Sequence, residues 1–133
     1  MTHTDKLFEL AVKARKNAYA PYSGFKVGAS ILSDKNNYYA AADVENISYP
    51  CGACAETGAI SAMISAGDKK IKEILVIADG KDLITPCGAC LQRIKEFSTS
   101  KTLIHLASLK GVQKTFKVSD MLPHAFEEEG LKK

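Results

Sequence analysis

All four cysteines of this chain lie in two copies of one tetrapeptide, Cys51-Gly52-Ala53-Cys54 and Cys87-Gly88-Ala89-Cys90. A Cys-x-x-Cys step puts two sulfurs at a single turn or helix start, so both copies can close on one ion only if distant parts of the chain meet. The first copy runs directly into Ala55-Glu56, which sets a carboxylate beside the sulfurs. Two bare knuckles suggest a closed structural zinc site. A Cys-Ala-Glu followed later by Pro86-Cys87-x-x-Cys90 suggests zinc with a working acid/base group at hand. Two disulfides are the lesser alternative, because short Cys-x-x-Cys pairs without an export signal are more often metal or redox groups.

The elements around the knuckles follow from periodicity. Leu7, Leu10, Ala11, Ala14 and Ala18 recur at helical spacing, with Pro21 closing the segment. Phe25 to Leu32 and Tyr38 to Val44 read as two strands of a hairpin, joined by the polar turn formers Ser33 to Asn37. A helix is expected from Cys54 to Ala66, stopped by Gly67, then a strand from Ile71 to Ala78. Pro86 to Phe97 reads as a third helix and Thr102 to Leu106 as another strand. Phe116 to Val118 adds a short edge strand, Ser119 caps a last short helix, and Glu127 to Lys133 is a solvated tail. This order predicts an α/β fold over residues 1–133 as a single domain, a central mixed β-sheet with helices on its faces.

Thr85 as N-cap and Pro86 as first helical residue would place Cys87 in the first turn of the third helix and Cys90 one turn later. Cys54 opens the second helix in the same way, and the partial positive charge at both helix starts favours thiolates. Cys54, Cys87 and Cys90 then form a tripod that leaves a fourth position open for water, as catalytic zinc requires. Cys51 could instead complete a closed four-cysteine site. Against that, the spacer from Ala55 to Pro86 exceeds the roughly 15–20 residues of a common zinc ribbon, and the residues after both knuckles look helical. Glu56 sits in the first turn, close to the metal without ligating it, although a surface glutamate at a helix start would be favoured there anyway. His3, His105 and His124 have no partner at ligand spacing.

Charge and hydropathy exclude several function classes. The 18 basic and 15 acidic residues nearly balance and are scattered, so no nucleic-acid groove is expected. Asp5, Lys6, Glu9, Lys13, Arg15 and Lys16 interrupt the first twenty residues, and Ile74 to Ala78 is far shorter than the roughly 20 residues that span a bilayer. The expectation is a soluble, cytoplasmic protein with no membrane partner and a small neutral or weakly charged ligand.

Cys54-Ala55-Glu56 with Pro86-Cys87-Gly88-Ala89-Cys90 is the zinc deaminase pattern. With Ala20-Pro21-Tyr22-Ser23-Gly24-Phe25-Lys26-Val27-Gly28-Ala29, Val44-Glu45-Asn46 and Leu122-Pro123-His124-Ala125-Phe126, the chain resembles the short, homotetrameric class of cytidine deaminases over its whole length. The resemblance implies a three-layer αβα fold and one zinc ion per subunit on Cys54, Cys87 and Cys90. It also implies hydrolytic deamination of cytidine and deoxycytidine to uridine and deoxyuridine, with release of ammonia, in pyrimidine salvage. Glu56 would shuttle protons from the metal-activated water to the ring N3 and the departing amine. Backbone groups near Ala55 and Thr85 would contact the base and Phe25 would pack on it. Glu45 and position 43 would grip the ribose, and Phe126 would reach a neighbouring subunit's site. The thin second helix, with Gly58, Ala59, Ser61, Ala62, Ser65 and Ala66, resembles the helix at the centre of that tetramer.

Three positions depart from the family pattern. Thr57 and Leu91 stand where arginines often offset the charge of the thiolates, and three thiolates on a divalent ion leave a net −1 that needs compensation. Arg93, three residues beyond Cys90, can lean back toward that sulfur and supply it. Asp43 replaces an asparagine, which puts two carboxylates near the sugar, disfavours phosphorylated sugars, and leaves open an aminopyrimidine nucleoside analogue as substrate. From a different class, a non-catalytic four-cysteine zinc module that binds a partner protein is the competing reading.

Overall fold

The computed structural model describes residues 1–80 and 83–131. Helix α1 (His3–Lys16) begins ahead of its apolar repeat because Thr2 and Asp5 form a reciprocal capping box. It stops before the expected Ala18 because the backbone then turns to pair with residues 43–45. Tyr19 N–H donates to the Asp43 carbonyl at 3.0 Å, and Glu45 N–H donates to the Tyr19 carbonyl at 2.8 Å.

The expected hairpin forms between β1 (Val27–Ser33) and β2 (Tyr38–Ala42), each shorter than its apolar run. Asp43 and Val44 leave the ladder, and Val44 bridges instead to Tyr19 and Ala53. That detour carries Asp43 and Glu45 toward the first cysteine knuckle. The turn between the strands is locked by buried Asp68, whose Oδ2 accepts from Ser33 Oγ at 2.7 Å, Tyr39 OH at 2.8 Å and Asn37 Nδ2 at 2.9 Å.

Helix α2 (Ala55–Ser65), β3 (Ile71–Ala78) and α3 (Gly88–Glu96) follow in the expected order. β4 (Ser98–Ser108) is about twice the expected length, and β5 (Gly111–Lys117) is a full strand instead of a three-residue edge. The polar residues Lys114, Thr115 and Lys117 obscured its alternation, because an edge strand needs little apolar surface. α4 (Val118–Met121) continues directly from it, capped at Lys117, two residues ahead of the expected cap at Ser119. The charged tail makes a short 3-10 turn at Glu128–Leu131, and Lys95 pairs with Glu127 at 3.2 Å; residues 132–133 lie outside the described residues.

The sheet order is β2-β1-β3-β4-β5. β3 and β4 run parallel, joined by a crossover through α3, and the other neighbours are antiparallel. Period-2 alternation divides the core between the two faces. Ala29, Ile31, Ile74, Val76, Ile104 and Leu106 pack under α2, α3 and α4, while Leu32, Leu75, Ile77 and Ala107 pack against Leu7 and Ala11 of α1. The result is the three-layer αβα arrangement. Gly28 sets the distance of the α1 layer, since a Cβ there would lie 2.3 Å from the Ala11 carbonyl oxygen. Gly58 does the same for α2, where a Cβ would meet Ala41 Cβ at 2.8 Å. Part of the thinness of α2 therefore serves its own sheet, while Ser61, Ala62, Ile64 and Ser65 remain exposed.

Candidate active site

α2 and α3 both start at the end of the sheet where β3 finishes, and a cysteine caps each. Cys54 is the N-cap of α2 and Cys87 the N-cap of α3, both extended, and neither side chain makes a capping hydrogen bond. Thr85 is not the expected cap, and Pro86 is not the first helical residue. Pro86 is buried before the helix, and α3 begins two residues later than its position implied. Each sulfur is thus left free at a helix start, where unpaired N–H groups favour negative charge.

These helix starts open onto a cavity of about 650 Å3. Its size falls in the range of small-molecule sites. Within it, the sulfurs of Cys54 and Cys90 and a carboxylate oxygen of Glu56 lie within 4.8 Å of one another. The two sulfurs are 2.9 Å apart, and Cys54 Sγ also lies 2.9 Å from the Thr57 hydroxyl. Cys87 lines the same cavity one turn before Cys90, but its exposed sulfur stands outside that tight group. Cys51 is exposed, contacts Ser48 Oγ at 3.4 Å, and is absent from both the cavity lining and the cluster.

The electrostatics follow from this packing. The Cys90 thiol, and after it the Thr57 hydroxyl, hold Cys54 down to about 5 against the opposing effect of burial. Cys90 is pushed up, because its proton is shared with Cys54 and it is buried beside Glu56. Glu56 is 5% exposed, and burial raises its carboxyl, with the Cys54 charge adding to the effect. A buried carboxyl with its affinity for protons raised, beside metal-ligating sulfurs, is suited to general acid/base work. A divalent cation would displace the shared thiol proton and take both sulfurs as thiolates.

Asp43, Glu45, Ala55 and Thr85 all line the cavity. Asp43 Oδ1 accepts Val27 N–H at 2.9 Å, and burial raises its carboxyl, followed by the like charge of Glu45. Glu45 is lowered, first by the Ser23 hydroxyl and then by the Ser23 and Tyr22 backbone N–H groups. Phe25 is half-buried outside the lining, and Val27, two residues on, takes a place there. Phe126 is 67% exposed, away from the cavity of its own chain, with its carbonyl accepting from Gln92 Nε2 at 3.0 Å. Arg93 NH1 lies 3.9 Å from Cys90 Sγ with the residue exposed, so its contact is long, whereas Thr57 makes the short one. His105 is tied to Glu73 and Thr115 across the sheet and is not part of the cluster.

Sequence reasoning missed Tyr22, Ser23 and Ile84 as cavity residues. Pro21 and Gly24 bracket the first two and signal a turn, but only the fold shows that this turn faces Glu45.

Residues 1–106 match the family described as cytidine and deoxycytidylate deaminase zinc-binding region. The cytidine deaminase of Sporosarcina psychrophila is 39% identical over 127 residues, covering 96% of this chain and 93% of that protein. That of Halalkalibacterium halodurans is 38% identical, covering 94% and 95%. The crystal structure of cytidine deaminase from Burkholderia pseudomallei superposes with a TM-score of 0.88 at 37% identity, covering 95% of this chain and all of that one.

Proposed function

This chain belongs to the cytidine and deoxycytidylate deaminase family, and we propose a role for each group in its cavity in the hydrolysis of cytidine and deoxycytidine to the uridines and ammonia. The observation that carries the reading is the buried Glu56 carboxylate within 4.8 Å of the sulfurs of Cys54 and Cys90. The donor set fits zinc, since soft sulfurs gather at two helix starts and no histidine or second carboxylate joins them among the described residues. Cys54, Cys90 and, one turn earlier on the same cavity wall, Cys87 would hold zinc, which would supply the Lewis acidity that makes a water nucleophilic near neutral pH.

Glu56 takes the proton of the attacking water and places it on ring N3, then takes the proton of the new C4 hydroxyl and delivers it to the exocyclic amine as the C4–N bond breaks and ammonia leaves. Its burial supports this double duty, because a carboxyl with a raised pKa both accepts and releases a proton readily. The backbone at Ala55 and Thr85 borders the base, and Asp43 and Glu45 receive the sugar hydroxyls. Phe25 lies outside the cavity lining, where Val27 takes a place. The whole of residues 1–133 acts as one domain, supported by two core clusters on opposite faces of a single sheet.

A cytoplasmic homotetramer is the assembly we favour. Its support is the exposed small side of α2 and the exposed Phe126, which lies outside the lining of its own chain's cavity. No helix among the described residues is long and apolar enough to cross a membrane. One observation favours a second substrate reading, a modified aminopyrimidine nucleoside: Asp43 spends one oxygen on Val27 and presents an acidic group where an amide could donate. The four-cysteine module loses support from Cys51, which is exposed and belongs neither to the cavity lining nor to the sulfur cluster.

The test is ammonia release from cytidine and deoxycytidine, with Glu56→Ala as control. Turnover that vanishes in the variant while zinc is retained supports the assignment. A zinc-loaded wild type inert on both nucleosides overturns it.

A further inference from the structure

Tyr22 and Ser23 form the tip of the connection between α1 and β1, and both line the cavity. Glu45, from the far side of the hairpin, holds this tip. Its Oε1 accepts the N–H groups of Tyr22 at 2.9 Å and Ser23 at 3.1 Å, while the Ser23 hydroxyl donates to Oε2. The same hydroxyl oxygen accepts Phe25 N–H at 3.0 Å, so Ser23 is itself fixed. A carboxylate offers about four acceptor positions. Three are filled here, and the one that remains is on Oε2.

We propose that Ser23 is a positioning residue for sugar selection: by fixing Oε2 of Glu45, it leaves that carboxylate able to accept from one sugar hydroxyl in one direction. The inference rests on the reading of Glu45 as a sugar contact. The two backbone bonds to Oε1 do not depend on the serine side chain, so removing the hydroxyl frees one oxygen without releasing the loop. Glu45 variants cannot make that separation, because they lose the loop and the sugar contact together.

The experiment compares wild type, Ser23→Ala and Ser23→Thr on cytidine and on its 2′-, 3′- and 5′-deoxy analogues. Ser23→Ala is expected to lower kcat/KM for cytidine about tenfold, mainly through KM, as for loss of one charge-assisted hydrogen bond. The effect disappears for the one analogue that lacks the hydroxyl read by Glu45, because the interaction energy of the pair is already gone. Ser23→Thr restores the wild-type pattern. Equal losses on all four substrates, or none on any, overturn the proposal.

Amide hydrogen exchange gives a readout independent of turnover. In Ser23→Ala the Phe25 amide exchanges faster while the Tyr22 amide stays protected. Release of both shows that the serine holds the whole loop, and the positioning role fails. A wild type inert on all four nucleosides sinks the deaminase reading and the sugar role with it, whatever the amides show.

Discussion

Replacing Thr57 with valine keeps the shape of the side chain and removes one hydroxyl, the group 2.9 Å from Cys54 Sγ. Three thiolates on a divalent ion carry excess negative charge, and donors to the sulfurs draw it off. A hydrogen bond to a charged group contributes about 1.5–3 kcal/mol, so Thr57→Val should weaken zinc binding by roughly 10- to 100-fold. Arg93 carries a full charge but reaches Cys90 Sγ only at 3.9 Å from an exposed position. Solvent screens such a contact to about 0–1 kcal/mol, and Arg93→Ala should cost zinc affinity no more than about fivefold. The assay is competition for zinc against a chromophoric chelator, with thermal melts in excess zinc to confirm that both variants fold. The pH dependence supplies a second reading. Cys54 is held to about 5 by Cys90 first and Thr57 next. Losing the hydroxyl raises the thiol, so protons displace the metal at a higher pH than in wild type. Zinc affinities of Thr57→Val and wild type within twofold, or a larger loss in Arg93→Ala, would refute the ranking.

Cys51→Ser should retain both zinc and the fold, since that sulfur lies outside the cluster; metal analysis after gel filtration checks it, and loss of zinc would revive the four-cysteine module. Gly28→Ala drives a Cβ to 2.3 Å from the Ala11 carbonyl oxygen, and overpacking of this kind costs about 1–3 kcal/mol, readable in urea denaturation. An unchanged midpoint would mean that α1 does not depend on that seat. Hydrogen bonds from Asn37, Ser33 and Tyr39 lower the Asp68 carboxyl below its usual value. Its ionised form therefore stabilises the fold above the ordinary carboxylate range, and that contribution disappears as pH falls through the lowered value. Asp68→Asn should be less stable than wild type at neutral pH and converge with it in strong acid; parallel pH–stability curves would show that the buried carboxylate contributes nothing.

Much of the layout was readable from local pattern. Apolar spacing located α1, the hairpin and β3, because each buries one continuous face or run, while α2 followed from its lack of strand character and the stop at Gly67. The knuckle followed by Glu56 marked the centre of the cavity, since two helix starts admit few other arrangements of those side chains. What local pattern missed depends on contacts distant in sequence. Asp43 and Val44 looked like strand, yet their pairing with Tyr19 and Ala53 pulls them out of the ladder. The hydroxyl of Thr57 lies nearer a sulfur than Arg93 does, at 2.9 Å against 3.9 Å, a difference that spacing along a helix does not reveal. Pro86 at a plausible first helical position was overruled by its own burial.

Cys54 and Cys90 are 36 positions apart, with the whole of β3 strung between them. An ion bound to both is therefore also a clasp on the chain, closing a loop that the unfolded polypeptide would leave open. Treated like any cross-link of that span, the closure contributes about 4 kcal/mol in the chain-entropy picture. Occupancy and folding then become one equilibrium. Metal supply would then set the balance between folded and unfolded chain as well as the activity of the folded one.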